Sequence, residues 1–221
     1  GIFQTQGEAD AHATNGTYNE PGNLKIRDVD GDGEITPEDR TYIGNPHPDF
    51  TAGFRLGMGF GNIDVSATLY ASVGNDLANY TSRFTKYGLF EGPNSPERLY
   101  NSWGSPYLED NNDATLPKAS TSTSFEQNAS TLYIEDGSFL RIQNLQLGYT
   151  LPDELIEKLH LKHMKLYVIG SNLFTFTKYS GLDPEISAKR ENGVPQEIDR
   201  GVDVGTWPVS KQIMLGLNIS L

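Results

Sequence analysis

The stretch TAGFRLGMGFGNIDVSATLYASV, residues 51–73, alternates in character on either side of a Gly61-Asn62 step. Ala52, Phe54, Leu56, Met58 and Phe60 share one parity, and Thr51, Gly53, Arg55, Gly57 and Gly59 share the other. Beyond the step, Ile63, Val65, Ala67, Leu69, Ala71 and Val73 stand against Asp64, Ser66, Thr68, Tyr70 and Ser72. A period of two sends successive side chains to opposite faces, so each run is a strand with one apolar face. Two such runs joined by a two-residue, glycine-containing turn predict a β-hairpin. Each run also has the ~9–11 residues that a tilted strand needs to cross a bilayer.

Three more segments repeat the pattern. In VSKQIMLGLNISL, Val209, Ile213, Leu215, Leu217, Ile219 and Leu221 share a face, and Ser210, Gln212, Met214, Gly216, Asn218 and Ser220 share the other. Lys211 is the one polar residue on the apolar parity. FLRIQNLQLGYT (139–150) and MKLYVIGSNLFTFT (164–177) read as two further strands. The first slips phase: Ile142 is even, whereas Leu145, Leu147 and Tyr149 are odd. A bulge, or an upper half standing beyond the lipid, accounts for the slip.

The connections are unequal. Gly61-Asn62 is a tight turn, and LPDELIEKLHLKH, which overlaps a short link over 150–162, has room for about two helical turns. Residues 1–50, 74–131 and 178–207 are long, polar and rich in Gly, Pro, Asn and Ser. If each strand reverses direction, the long segments leave on one side and the short ones on the other, as in outer-membrane barrels. The expected fold is therefore all-β, a segment of about five antiparallel strands from a large transmembrane barrel. Its predicted parts are an external loop (1–50), a hairpin (51–73), a second external loop (74–131), two strands with a short periplasmic link (132–177), a third external loop (178–207) and a last strand (208–221). Single-chain bacterial barrels have at least ~8 strands, so the remaining strands are expected outside these residues.

Composition agrees. Mean hydropathy is −0.48, and no apolar run approaches the ~20 residues of a membrane helix, but alternating barrel strands keep hydropathy low. The net charge is −12, with 17 basic and 29 acidic residues. No basic patch is evident, which argues against a nucleic-acid partner. The absence of cysteine excludes disulfides, thiolate metal sites and cysteine nucleophiles. The opening GIFQTQGEADAHA has neither an initiator methionine nor a basic region followed by an apolar run, so the sequence is expected to start after its targeting signal.

GIFQTQGEADAHA, GNLKIRDVDGDGEITPEDRTYIGNPHPDFTAGF, DGSFLRIQNLQLGYTLP, LYVIGSNLFTFTKYSGLDPEIS and WPVSKQIMLGLNISL occur in that order. Together they resemble the C-terminal part of the SusC/RagA-type TonB-dependent transporters of Bacteroidetes outer membranes. The resemblance covers nearly the whole chain and is weakest over 74–131. It implies a large barrel filled by an N-terminal plug, importing glycans, oligosaccharides or peptides. It also implies a SusD-like surface lipoprotein over the external mouth and energy from TonB through the plug. The sequence holds neither a plug nor a recognisable TonB box, so the rest of the barrel and plug are partners too.

The acidic run RDVDGDGEITPEDRT fits a calcium loop, D-x-D-x-D-G with a carboxylate at position 12. Asp28, Asp30 and Asp32 take positions 1, 3 and 5, Gly33 the sharp turn at 6, Glu34 the backbone carbonyl at 7 and Asp39 position 12. Hard oxygens at this spacing suit Ca²⁺, and without a counter-ion the carboxylates repel one another. The bland alternative is a solvated acidic turn with Thr36 capping a short helix from Pro37. Long flanking helices are absent from the pattern, so the expected role is to brace an external loop.

Other motifs read as structural. GMGFGN (57–62) lies within an alternating strand with no following helix, which disfavours a phosphate cradle. His160-x-x-His163 enters a strand without further zinc ligands. Asp183 and Glu185 flank Pro184 in one loop without the convergent partner a glycosidase needs, and no G-x-S-x-G occurs. No enzymatic activity is expected. Tyr80, Phe84, Tyr87, Phe90, Tyr100, Trp103 and Tyr107 are candidates to stack on sugars, to meet a lid or to pack within their loop. The rival reading is a soluble, secreted, calcium-braced β-domain that binds carbohydrate. One whole parity of each strand is apolar, and too few strands are available for a second sheet to cover it.

Overall fold

A computed structural model describes residues 1–86, 95–119, 128–158, 160–186, 190–191, 194–195 and 200–220. These fall into two compact units, residues 1–44 with 79–134 and residues 45–78 with 135–221.

The second unit is built on the predicted strands. In chain order the strands are β1 (Phe50–Phe60), β2 (Ile63–Val73), β3 (Asp76–Asn79), β4 (Ile134–Asp136), β5 (Phe139–Thr150), β6 (His163–Thr177), β7 (Arg190–Glu191), β8 (Val194–Pro195), β9 (Val202–Asp203) and β10 (Gln212–Ser220). The five long strands form one antiparallel sheet in the order β1-β2-β5-β6-β10. Gly61 closes the hairpin at φ +56°, the left-handed position such a turn requires of its first residue. Asn62 secures it by donating from Nδ2 to the Thr150 carbonyl at 2.7 Å.

The register keeps the apolar parities in line. Met58 pairs with Val65, Val65 with Leu147, Leu147 with Val168, and Val168 with Leu215. The phase slip in β5 is a bulge: Thr68 pairs with Asn144 and Leu69 with Ile142, so Gln143 is the extra residue. It returns Leu140 and Ile142 to the face of Leu145, Leu147 and Tyr149, and the apolar surface continues past it. β6 compensates with its own irregularity, in which Asn172 takes φ +54°. Leu173 then lies over Gly170, whose added Cβ would meet Leu173 Cδ1 at 2.4 Å.

The apolar face is bare. Leu56, Met58, Phe60, Leu147, Leu166, Phe174, Ile213, Leu215 and Leu217 are all exposed, Leu215 by 86%. Water leaves such a surface uncovered at a cost of about 25 cal/mol per Å², so the sheet is shaped for an apolar environment.

The opposite face is polar and tightly fitted. Lys165 Nζ pairs with Asp64 Oδ1 at 2.7 Å. The two lie on either side of Gly148, where an added Cβ would come within 2.5 Å of both. The Tyr167 ring covers Gly216 in the same way.

Both short connections, Gly61-Asn62 and residues 151–162, join the sheet at one end. The longer contains α4 (Asp153–Lys158), packed through buried Ile156. The long segments all join at the other end. A small sheet of order β4-β3-β9 sits in them, an element the sequence pattern did not reveal.

The first unit packs residues 1–44 against 79–134. Its helices are α1 (Gln6–Asp10), α2 (Thr81–Thr85) and α3 (Pro96–Asn101). Thr5 caps α1 by accepting the Glu8 N–H, while Glu8 accepts the Gln4 N–H at 2.8 Å. Phe3 is fully buried, edge-on to His12. Trp103 donates to Gln4 Oε1 at 2.9 Å and stands against Gly22, where an added Cβ would reach its ring at 2.6 Å. Tyr133 and Leu116 form a second buried pair.

Candidate functional site

Two polar constellations stand out, one in each unit. The first is the acidic loop. Carboxylate oxygens of Asp28, Asp30 and Asp32 lie within 4.8 Å of one another. The loop turns tightly enough to gather them because Gly31 and Gly33 take φ +79° and +89°. Asp28 accepts the N–H groups of Gly31 at 2.6 Å and Gly33 at 3.0 Å. Asp32 accepts the Glu34 N–H at 2.8 Å.

Asp39 closes the loop. Its oxygens accept the N–H of Val29 at 2.6 Å and of Thr36 at 2.7 Å. Thr36 in turn accepts from Glu38, completing a capping box on the short 3₁₀ turn Pro37–Asp39. The predicted Thr36 cap is formed, and it uses the same Asp39 that the expected calcium pattern places at position 12. The loop is tied to residue 14: the Thr14 N–H donates to the Gly33 carbonyl at 2.7 Å and the Ile35 N–H to the Thr14 carbonyl at 2.8 Å. Neither bond engages the Glu34 carbonyl.

The charges show the strain of this gathering. The Asp30 carboxyl is lowered by the Asp32 N–H, but loss of hydration and the charges of Asp32, Asp39 and Asp28 outweigh that and raise its pKa overall. Asp39 is lowered by the N–H groups of Thr36 and Val29. The donor set is all hard oxygen, which suits Ca²⁺ rather than a softer metal.

The second constellation is where Asp183 and Glu185 go. Arg141, on the polar face of β5, is 2% exposed. It donates to Asp183 Oδ1 and Glu185 Oε2, each at 2.5 Å, and to Thr175 Oγ1 at 3.0 Å. Asp183 also accepts the N–H of Glu185 at 2.9 Å and of Val209 at 3.2 Å. Nearby, buried Asp203 accepts from the Tyr179 hydroxyl at 2.6 Å and from the N–H groups of Gly205 and Thr206. Burial and that hydrogen bond push the Tyr179 phenol well above its usual range.

Two buried aspartates thus tie residues 179–185 to 203–209 and to the sheet wall. The carboxylates are committed to an arginine and to backbone N–H groups, an anchoring role rather than acid–base chemistry. Beside this stem, Tyr70, Phe139, Pro46, Pro48, Glu185 and Arg200 line part of a hollow of ≈ 170 Å³.

Among the described residues the histidines join no metal-capable group. GMGFGN lies in β1 and its turn. Of the loop aromatics, Trp103 is packed within its unit, and Tyr80 stands against Tyr133 at 6.0 Å. Tyr100 and Tyr107 form an exposed edge-to-face pair at 5.1 Å. Tyr87 and Phe90 lie outside the described residues. No helix among the described residues is long and apolar enough to cross a membrane.

No protein-family model matches the chain. It is 35% identical over 219 residues to TonB-dependent receptor P3 of Formosa agariphila, across 99% of this chain and 21% of that protein. It is 26% identical to TonB-dependent receptor SusC of Bacteroides thetaiotaomicron, across 87% of this chain and 17% of that one. Among solved structures, the RagAB peptide transporter matches with a TM-score of 0.66 and 29% identity, over 88% of this chain and 20% of that chain. The chain thus spans about a fifth of the length of the relatives it matches. The resemblance to SusC/RagA-type TonB-dependent transporters holds, with the five-stranded sheet as a partial segment of such a barrel. The relatives are receptors and transporters by name, which agrees with a protein that is not an enzyme.

Proposed function

We propose that this chain is barrel wall and external mouth of a bacterial outer-membrane importer, working with the remaining strands, an internal plug and TonB. The observation that carries the reading is the bare, apolar and acid-free face of the five-stranded sheet, backed by a polar face with its own ion pair. A lipid-facing exterior and a polar lumen need that division. Cargo is a glycan, oligosaccharide or peptide. A SusD-like lipoprotein covers the mouth, for which the exposed Tyr100–Tyr107 pair in the first unit is a suitable contact.

Ca²⁺ fits the acidic loop through Asp28, Asp30 and Asp32, the Glu34 carbonyl and Asp39. When bound it supplies positive charge that relieves the repulsion among the carboxylates. The residues themselves hold the loop closed against Thr14.

The chain has no cysteine, so single cysteines can report sidedness in the full receptor. Cysteine at Leu215 should react with a lipid-soluble maleimide and resist a membrane-impermeant one, with the reverse at Gln212. Equal reaction of both positions with the impermeant reagent, in a receptor that stays in solution without detergent, would favour the soluble calcium-braced domain instead.

A further inference from the structure

The hollow beside the 179–185 stem has no role in the sheet, the acidic loop or the anchoring of the aspartates. Its described lining comes entirely from the second unit. Tyr70 and Ser72 lie on the polar parity of β2, and Phe139, at the start of β5, pairs with Ser72. These are the rows of the polar face nearest the mouth. The other walls are Pro46 and Pro48 ahead of β1, the stem at Glu185, and Arg200 and Gly201 ahead of β9.

The walls are held in place by the protein's own bonds. The Asp76 N–H donates to the Asn45 carbonyl at 2.7 Å, and the Asn45 N–H donates to Asp76 Oδ2 at 2.8 Å, which fixes the approach to Pro46. The Ala78 N–H donates to the Gly201 carbonyl at 2.8 Å. Arg141 holds Glu185 through Oε2. A site with its walls already in place binds without the cost of ordering them. A cavity of about 150 Å³ admits a benzene ring, so ≈ 170 Å³ has room for one six-membered ring.

The lining has polar groups that the protein leaves unused. Tyr70 is half-buried, with its ring tilted against buried Phe139 at 5.8 Å. Its hydroxyl has no hydrogen-bond partner among the described residues. Asn75, 6% exposed, accepts from Ser72 Oγ at 3.1 Å through Oδ1, and its Nδ2 donates to none of the described residues. Glu185 commits Oε2 to Arg141 and leaves Oε1 open. A nearly buried amide donor without an acceptor is destabilising, and a ligand oxygen relieves it. An aromatic ring, an amide donor and a carboxylate oxygen together match a ring with C–H faces and hydroxyl edges. Among the described residues the lining carries one guanidinium and one carboxylate, Arg200 and Glu185, so it selects for no net charge.

We propose that this hollow is a subsite for one neutral pyranose of an incoming oligosaccharide, stacked on Tyr70 with its hydroxyl edge toward Asn75 and Glu185. The inference rests on the importer reading above and narrows its cargo from glycan or peptide to neutral glycan.

The test presents the full receptor, without its lipoprotein, to an array of neutral hexose oligosaccharides, uronic-acid oligosaccharides and mixed peptides. Neutral hexose spots should bind, and calorimetry then gives the affinity for the best of them. Tyr70→Ala removes the ring and should weaken binding about tenfold or more. Tyr70→Phe keeps the ring, loses only the hydroxyl and should weaken binding about two- to tenfold; it decides the matter if Tyr70→Ala does not assemble. Binding confined to uronates or peptides, or no binding at all, would overturn the subsite. So would an affinity that neither variant changes, which would mean that protein such as the plug fills the hollow. The labelling contrast between cysteines at Leu215 and Gln212 separates the two readings. If it holds while sugar binding fails, only the subsite falls; if it is lost in the receptor with Tyr70 intact, the importer reading falls too.

Discussion

Leu215→Lys tests the division of faces most directly. Leu215 pairs with Val168 near the middle of β10, on the bare face. A lysine at the midplane of a barrel's lipid face costs about 2–4 kcal/mol, falling to about 0–1 near the interfaces. At about 1.4 kcal/mol per factor of ten, the folded-to-unfolded ratio should fall by roughly 30- to 1,000-fold. The control must be a polar-face lysine that meets no other penalty. Asn218 is unsuitable: it lies opposite Lys165, and like charges directly opposite destabilise a sheet. Gln212, opposite Ser171, is the fair comparison, and Gln212→Lys should change stability by less than about 0.5 kcal/mol. Urea titration of the full receptor in lipid vesicles, with folded barrel read by its gel mobility without heating, gives both values. If the two variants unfold at the same urea concentration, the apolar face does not meet lipid and the assignment of inside and outside is wrong.

Arg141→Met should cost about 3–5 kcal/mol, because it leaves nearly buried Asp183 without its cation. Protease cleavage within 178–209 should rise while the long strands stay protected in hydrogen exchange. In the acidic loop, a raised pKa means that folded Asp30 holds its proton more tightly than the unfolded chain does. Its contribution favours folding at low pH and is lost as pH rises through that raised value. Asp39, held low, contributes the opposite way: its stabilisation is present above the unfolded carboxylate range and lost as pH falls through its depressed value. Protons should therefore displace Ca²⁺ at Asp30 first, and calorimetric titration should show affinity falling on acidification before Asp39 protonates. No calcium heat at any pH would sink the site.

Strand identity was legible in the sequence because a bare apolar face leaves a strict period of two, as in Phe54–Leu56–Met58 and Leu215–Leu217–Ile219. The D-x-D-x-D-G spacing of the acidic loop was equally plain, since its glycines and carboxylates are local. Three things were not legible. The pairing of Thr14 with the acidic loop depends on backbone groups, which any side chain can carry. β3 is four residues long and its partners lie about 60 and 125 residues away, too short and too remote for periodicity to register. Asp183 looked like a surface turn residue because burial of a charge is set by its partner, and Arg141 stands more than forty residues earlier. One signal was available: an arginine inside an otherwise apolar strand start, FLRI, calls for a counter-charge.

That arginine also gives the β5 bulge its purpose. Arg141 is odd-numbered, as are Leu145, Leu147 and Tyr149, so a regular strand would send all four to one face. The extra residue at Gln143 separates them. It puts Arg141 on the polar side, opposite Tyr70 and Thr175, while Leu140 and Ile142 keep the apolar side. Deleting Gln143 therefore forces a choice. Either the lower half of β5 keeps its register and Arg141 turns to the bare face, or the upper half keeps its place and Leu145 and Leu147 turn inward. The first outcome breaks the Arg141–Asp183 pair, at about 3–5 kcal/mol, and exposes a guanidinium to lipid. The second turns the whole lower half outside in, which a one-residue slip always does. Both should cut the yield of assembled receptor sharply. Cysteine at Leu140 tells them apart, since only the first outcome makes it reactive toward a membrane-impermeant maleimide in whatever fraction assembles. Normal assembly with Leu140 still shielded and the 178–209 stem still protected from protease would mean that the bulge does not set the direction of Arg141.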